Sequence, residues 1–303
     1  MKIEFEVKKQ LLFFFSMFIL PLLLPAYSIA EGKNEMVLVK GGCYEMGDTF
    51  GDGDWPERPV HRACVDDFYL GKYEVTNQEF ADFLNAYGGE TTKEGEKIIH
   101  LGGAFKGERC RVIKIDGKYS VEKGYEKHPV IYVTWYGISA YARYYGLRLP
   151  TETEWEFAAR ERGKKIKYVW GNGHPGDKKM ANIPDESVLK KIPDWNVLNW
   201  EPWEGYDDGY PLLSPVGSFE PNSLGLYDLT GNVWEWCVDL YDNKFYRKKV
   251  GKNPKSVDGE TYVMRGGSWL SQLFELRLSA RARHYPDAYH ATWGFRVAGP
   301  PPK

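Results

Sequence analysis

The chain has 303 residues, 43% hydrophobic, 27% charged and 16% aromatic, with 40 Lys and Arg against 42 Asp and Glu. That apolar share supports a packed core and excludes long disorder, collagen and coiled coil. A net charge of −2 supplies no field to hold a polyanion, so nucleic acid is not expected as a partner. The 11 Trp, 21 Tyr and 32 Gly point to tightly turned, irregular backbone rather than long helices.

The first thirty residues read as an export signal. Lys2, Lys8 and Lys9 precede an apolar run over residues 11–25, and Ser28 and Ala30 stand at the −3 and −1 positions of a small-residue cleavage site. The run is broken by Pro21 and falls short of the ~20 residues a membrane span needs. Cleavage after Ala30 is therefore expected, leaving a periplasmic or secreted protein that does not span the membrane. In an oxidising compartment an even number of cysteines favours disulfides. Cys43 and Cys64 lie in two strand-like runs, 37–46 and 60–70, joined by an acidic, Gly-rich turn, and are expected to bridge. Cys110 and Cys237 remain, with a bridge between them left open.

Three helices are marked by their caps. Thr76 and Glu79 form a capping box ahead of Phe80, Phe83, Leu84 and Tyr87, and Gly88 stops the run. Thr134 opens a second, with Ile138, Tyr141, Ala142 and Tyr145 on one side and Gly146 at its end. Thr151 and Glu154 form another box ahead of Trp155, Ala158 and Ala159, running towards Gly163. Residues 89–128, rich in Gly and Lys, read as an insertion carrying a hairpin around Asp116-Gly117. Residues 164–223 have little periodicity, and a stretch that long inside a compact domain is expected to be functional or to be held by something other than regular hydrogen bonding.

Seven phrases then recur in a familiar order. They are Gly41-Gly42-Cys43-Tyr44-Glu45-Met46-Gly47; Phe68-Tyr69-Leu70-Gly71-Lys72-Tyr73-Glu74-Val75-Thr76-Asn77; Pro129-Val130 with Val133-Thr134-Trp135; and Arg148-Leu149-Pro150-Thr151-Glu152-Thr153-Glu154-Trp155-Glu156. Gly225-Leu226-Tyr227-Asp228 with Gly231-Asn232-Val233-Trp234-Glu235-Trp236, Arg265-Gly266-Gly267-Ser268-Trp269 and Gly294-Phe295-Arg296 complete the series. Over residues 36–299 the chain resembles the formylglycine-generating-enzyme family, also called the sulfatase-modifying-factor domain. The resemblance implies a single α+β domain of the C-type-lectin-like kind, with little regular secondary structure. It also implies, for active members, oxidation of a cysteine in an unfolded sulfatase segment by oxygen and a copper(I) ion held by two thiolates.

The thiolates are where this chain departs from the family. Their positions follow the Gly-Gly-Ser phrase, and here hold Ser271 and, for the second, Leu276 or a short gap. Copper(I) takes soft sulfur ligands, which neither a hydroxyl nor an isobutyl group replaces, so copper is not expected. The degenerate site then comprises Ser268, Ser271, Glu275, Leu276 and Arg281, with Trp234 as a wall; no catalytic residue is assigned.

The resemblance also implies two structural calcium ions. The first would be held by the side chains of Asn182 and Asp208 and the carbonyls of Ile183 and Tyr210. The second would be held by the side chains of Asp228 and Glu235 and the carbonyls of Gly231 and Val233. Such oxygen ligands suit a hard cation, and both sets lie in or beside the aperiodic stretch that needs a clamp.

Other features read as structural. Asp48, Asp52 and Asp54 lack EF-hand spacing and are expected to form a solvated acidic turn. Arg277, Arg281 and Arg283 are expected to pair with acids within the core rather than bind an anion. Trp234, Trp236 and Trp269 divide between core packing and a ligand groove. Two function classes follow. One is a monomeric accessory or binding module for an exported polypeptide or glycan. The other is an oxidase of the formylglycine-generating family with altered chemistry on an exported peptide or sulfatase.

Overall fold

Short strands open the fold, because each strand-like run is cut by a turn. Strands β1 (Met36–Val39) and β2 (Gly42–Met46) come from the first run, β3 (His61–Val65) and β4 (Phe68–Gly71) from the second. A computed structural model describes residues 34–176, 179–192, 202–248 and 251–300. The predicted signal segment lies outside these residues. Strands β2 and β3 pair antiparallel with Cys43 opposite Cys64, and the two sulfurs are bonded. The acidic turn between them departs from expectation at one residue. Asp48 is buried, because its carboxylate accepts from the N–H groups of Gly51 and Gly53 and from Arg58.

The insertion supplies β5 (Ala104–Phe105), β6 (Glu108–Arg109) and the predicted hairpin of β7 (Val112–Ile115) and β8 (Lys118–Val121). Asp116 and Gly117 both take positive φ at its tip, as a two-residue hairpin turn requires.

The helices follow their caps. In α1 (Asn77–Tyr87) the Thr76 side chain accepts from the Glu79 N–H, the Glu79 carboxylate accepts from the Thr76 N–H, and Gly88 adopts the left-handed conformation. Thr134 caps α2 (Trp135–Tyr144). Thr151 and Glu154 form the box of α3 (Glu152–Ala159), which ends before Gly163 and is buried on every side. A fourth helix, α4 (Glu186–Lys191), lies in the stretch read as aperiodic.

The C-terminal part builds β9 (Trp234–Leu240), β10 (Tyr262–Arg265), β11 (Ala282–His284), β12 (Trp293–Gly294) and β13 (Ala298–Gly299). A mixed sheet runs β11-β10-β9-β12, antiparallel except where β12 joins β9, and β13 returns to β4 to complete the sheet β1-β4-β13. Alternation along β9 sends Trp234 and Trp236 into one core cluster and Cys237 into another. The first cluster gathers α1, α2 and the insertion; the second gathers α3 and the disulfide hairpin. All three tryptophans in question, Trp234, Trp236 and Trp269, pack in the first core. The described residues after Lys33 form one compact unit, and among them no helix is long and apolar enough to cross a membrane.

Candidate functional site

The turn after β10 places Ser268 and Ser271 side by side, their Oγ atoms 3.2 Å apart. Ser271 Oγ also accepts from the Ser268 N–H at 3.1 Å. Ser268 is 1% exposed and Ser271 3%, while Leu276 is wholly enclosed. Gly266 and Gly267 both take positive φ here, which brings the turn back onto the segment leading into β9, where Trp269 N–H donates to Asn232 O. Burial raises the Glu275 carboxyl above its ordinary value; the carboxyl accepts from the Gln272 N–H and bonds Ser271, which partly offset that rise. Trp234 is a buried core residue. Arg281 is not free to serve it. Its Nε and Nη2 donate to the Glu152 carboxylate at 2.6 and 2.8 Å, and its Nη1 to Pro56 O.

The pairing expected for the arginines holds for two of three. Arg277 forks onto Glu57 with two bonds of 2.7 Å, and Arg281 takes Glu152; Arg283 has no such partner among the described residues. Glu152 also receives Arg265. Burial alone would lift its pKa, but Arg281 and Arg265 more than offset this and hold it below the usual carboxylate range.

Cys110 and Cys237 are free, buried thiols. They sit in different core clusters, so no bridge joins them. Burial pushes the Cys110 thiol up to about 12 and raises Cys237 well above its ordinary value. Neither thus presents a ready thiolate, and copper(I) has no soft ligand at Ser271 or Leu276.

The residues implied for calcium behave differently. At the first site Asn182 Oδ1 is buried without a hydrogen-bond partner, while its Nδ2 donates to Leu212 O at 2.6 Å. Asp208 accepts from the N–H groups of Ile183 and Tyr210, turning the chain around its carboxylate. Burial, then the neighbouring Asp185 carboxylate, push Asp208 up to about 8. Asp185 caps α4 and accepts from Asp208 N–H at 2.6 Å.

At the second site Asp228 Oδ1 is likewise buried and unpartnered, and burial pushes Asp228 up to about 6. Glu235 is already engaged: Arg296 forks onto it with two bonds of 2.6 Å, and Trp155 Nε1 donates at 2.7 Å. Glu74 joins this cluster by accepting from Asn232 Nδ2 and Val233 N–H. Its pKa is raised well above the ordinary value by burial, then by Asp228 and Glu235.

Three carboxyl groups meet one guanidinium in this buried cluster, so with all three ionised a cation would relieve the repulsion that raises Glu74 and Asp228. Among the described residues no three His, Cys, Asp or Glu side chains gather as a ready metal site. The implied sets each use two side chains and two carbonyls, and the carbonyls of Ile183, Tyr210 and Gly231 accept no hydrogen bond among the described residues. The donor set therefore fits a hard cation. The two sites are linked where Asn232 N–H donates to Asn182 O. A Cβ at Gly231 would stand 1.9 Å from that same oxygen, so only glycine allows the approach.

The partners Glu74, Asp185, Asn232 and Arg296 were not singled out from sequence as site residues. All but Asp185 lie in family phrases, and a carboxylate among strand-forming residues, as Glu74 is, signals a buried charge that needs a partner. Asp185 was visible as a helix start, Pro184-Asp185-Glu186-Ser187.

A mixed sheet packed against short helices, with long irregular segments tied by buried carboxylates, defines the class of formylglycine-generating-enzyme-like, C-type-lectin-like folds. The structure of PvdO from Pseudomonas aeruginosa aligns with a TM-score of 0.65 at 27% identity, covering 88% of this chain and 94% of that one. Residues 26–300 match the sulfatase-modifying factor enzyme 1-like domain, and the chain belongs to that family. It is 34% identical to the formylglycine-generating enzyme of Streptomyces coelicolor, over 86% of this chain and 88% of that protein. It is also 36% identical to a serine/threonine-protein kinase, pkn1, of Chlamydia pneumoniae, over 87% of this chain but only 38% of the kinase. The chain thus spans little more than a third of the length of the kinase relatives it matches. A Bos taurus relative at 30% identity, over 88% of this chain and 89% of that protein, is described as inactive C-alpha-formylglycine-generating enzyme 2.

Proposed function

We propose that this chain is an exported, non-catalytic member of the sulfatase-modifying-factor family. It acts as a monomeric accessory or binding module for an exported polypeptide or glycan. The observation that carries this reading is the burial of Ser271 at the first thiolate position and of Leu276, which stands at the second unless a short gap falls there. A hydroxyl locked to Ser268 and an enclosed isobutyl group neither hold copper(I) nor exchange electrons with a substrate thiol. The existence of an inactive relative at 30% identity supports the reading. Export rests on the charged, apolar and small-residue pattern of residues 1–30, and two calcium ions would replace regular secondary structure as the clamp on residues 182–235.

The test uses the purified chain, a peptide carrying a sulfatase-type cysteine motif, copper and oxygen, with the Streptomyces enzyme in parallel. Mass spectrometry is expected to show the aldehyde product with that enzyme and unchanged cysteine with this chain. Formylglycine formed by this chain would overturn the reading.

A further inference from the structure

Beyond the C-terminal end of β9, Tyr241, Glu260, Thr261, Arg283, His284 and Tyr285 line a cleft of about 340 Å³. That size falls near the lower end of small-ligand sites. The cleft lies at the far end of β9 from Asn232, where the Ser268–Ser271 turn docks, about 20 Å away by strand rise. It is therefore separate from the site already described, and its reading does not depend on whether that site is catalytic.

Tyr241 forms the buried wall, with the guanidinium groups of Arg281 and Arg283 lying 4.7 and 4.6 Å from its ring centre. Arg281 is neutralised by Glu152. Arg283 is exposed and, among the described residues, has no ion pair or hydrogen bond; Glu260 is in the same position. Two opposite charges thus line one cleft without bridging each other. A simple anion would pair with Arg283 alone, whereas a ligand carrying both a carboxylate and an ammonium group would pair with both charges. Tyr285, 54% exposed, adds an uncovered aromatic face. Rings continue away from it through His284, 4.5 Å from Trp293, and His290, 5.3 Å from Trp293.

We propose that this cleft binds a small zwitterion, an α-amino acid with an aromatic or large aliphatic side chain. Arg283 takes its carboxylate, Glu260 its ammonium group, and Tyr285 its side chain. The Arg283 guanidinium, 4.6 Å from the Tyr241 ring centre, stands at the cleft wall, and its planar fork can take a carboxylate with two hydrogen bonds.

Isothermal titration with L-phenylalanine tests this, alongside L-phenylalaninamide, N-acetyl-L-phenylalanine and D-glucose. L-Phenylalanine is expected to give saturable heat, and each blocked form to bind at least about tenfold more weakly, as the loss of one charge-assisted contact implies. Glucose is expected to give none. Arg283→Ala removes an exposed side chain that lies against Tyr241, and should abolish binding at an unchanged melting midpoint. Three outcomes would each overturn the proposal: no saturable heat from L-phenylalanine up to ~10 mM, equal binding of all three phenylalanine forms, or full affinity in Arg283→Ala.

Discussion

Asp239 is a carboxyl held almost wholly inside the protein, accepting from the N–H groups of Glu152 and Ser256. Burial, then the charged neighbour Glu152, push its pKa from 3.8 up to about 7. Because the folded value lies above the unfolded one, its contribution to stability is intact below about pH 4. It is lost as the pH rises through about 7. The wild type should therefore gain stability over Asp239→Asn, neutral at every pH, as the pH falls from 8 to 5, by on the order of a few kcal/mol. Urea unfolding at a series of pH values reads this, and a difference that stays flat would contradict it. Single residues were legible where their partners were near in sequence or set by alternation, as with Cys43 and Cys64. They were not legible where charges meet across the fold. Arg296 and Glu235 are 61 positions apart, and nothing local in either signals the other.

At the scale of elements, capping chemistry carried most of the information. The caps of α1, α2 and α3 are local, with both partners within three residues, so propensity and structure agree. Thr76→Ala should cost about 1 kcal/mol in chemical denaturation, through loss of the Glu79 N–H acceptor. A loss indistinguishable from zero would mean that packing of Phe80 and Phe83, not the cap, positions the helix. Helix α4 escaped notice because six residues give too little apolar period to count, although its cap, Asp185, is of the usual type. The broken strand runs escaped for a similar reason. Alternation continues across Lys40-Gly41 and Asp66-Asp67, yet Asp67 turns the chain there by accepting from Gly41 N–H.

For the whole molecule, family phrases made the α+β, lectin-like class legible, whereas strand order was not. The return of β13 to β4, and the parallel join of β12 to β9, are long-range pairings that no local pattern encodes. The same long-range character hid Glu74, which reaches Asn232 across 158 residues. On the proposed reading the scaffold would hold two hard cations and no copper(I). Metal content measures this directly. The purified chain, offered both calcium and copper(I) and then desalted, would be weighed intact by native mass spectrometry with elemental analysis alongside. The account predicts two calcium ions per chain and no stoichiometric copper. A chain that carries one copper ion, or that holds no calcium, would contradict it.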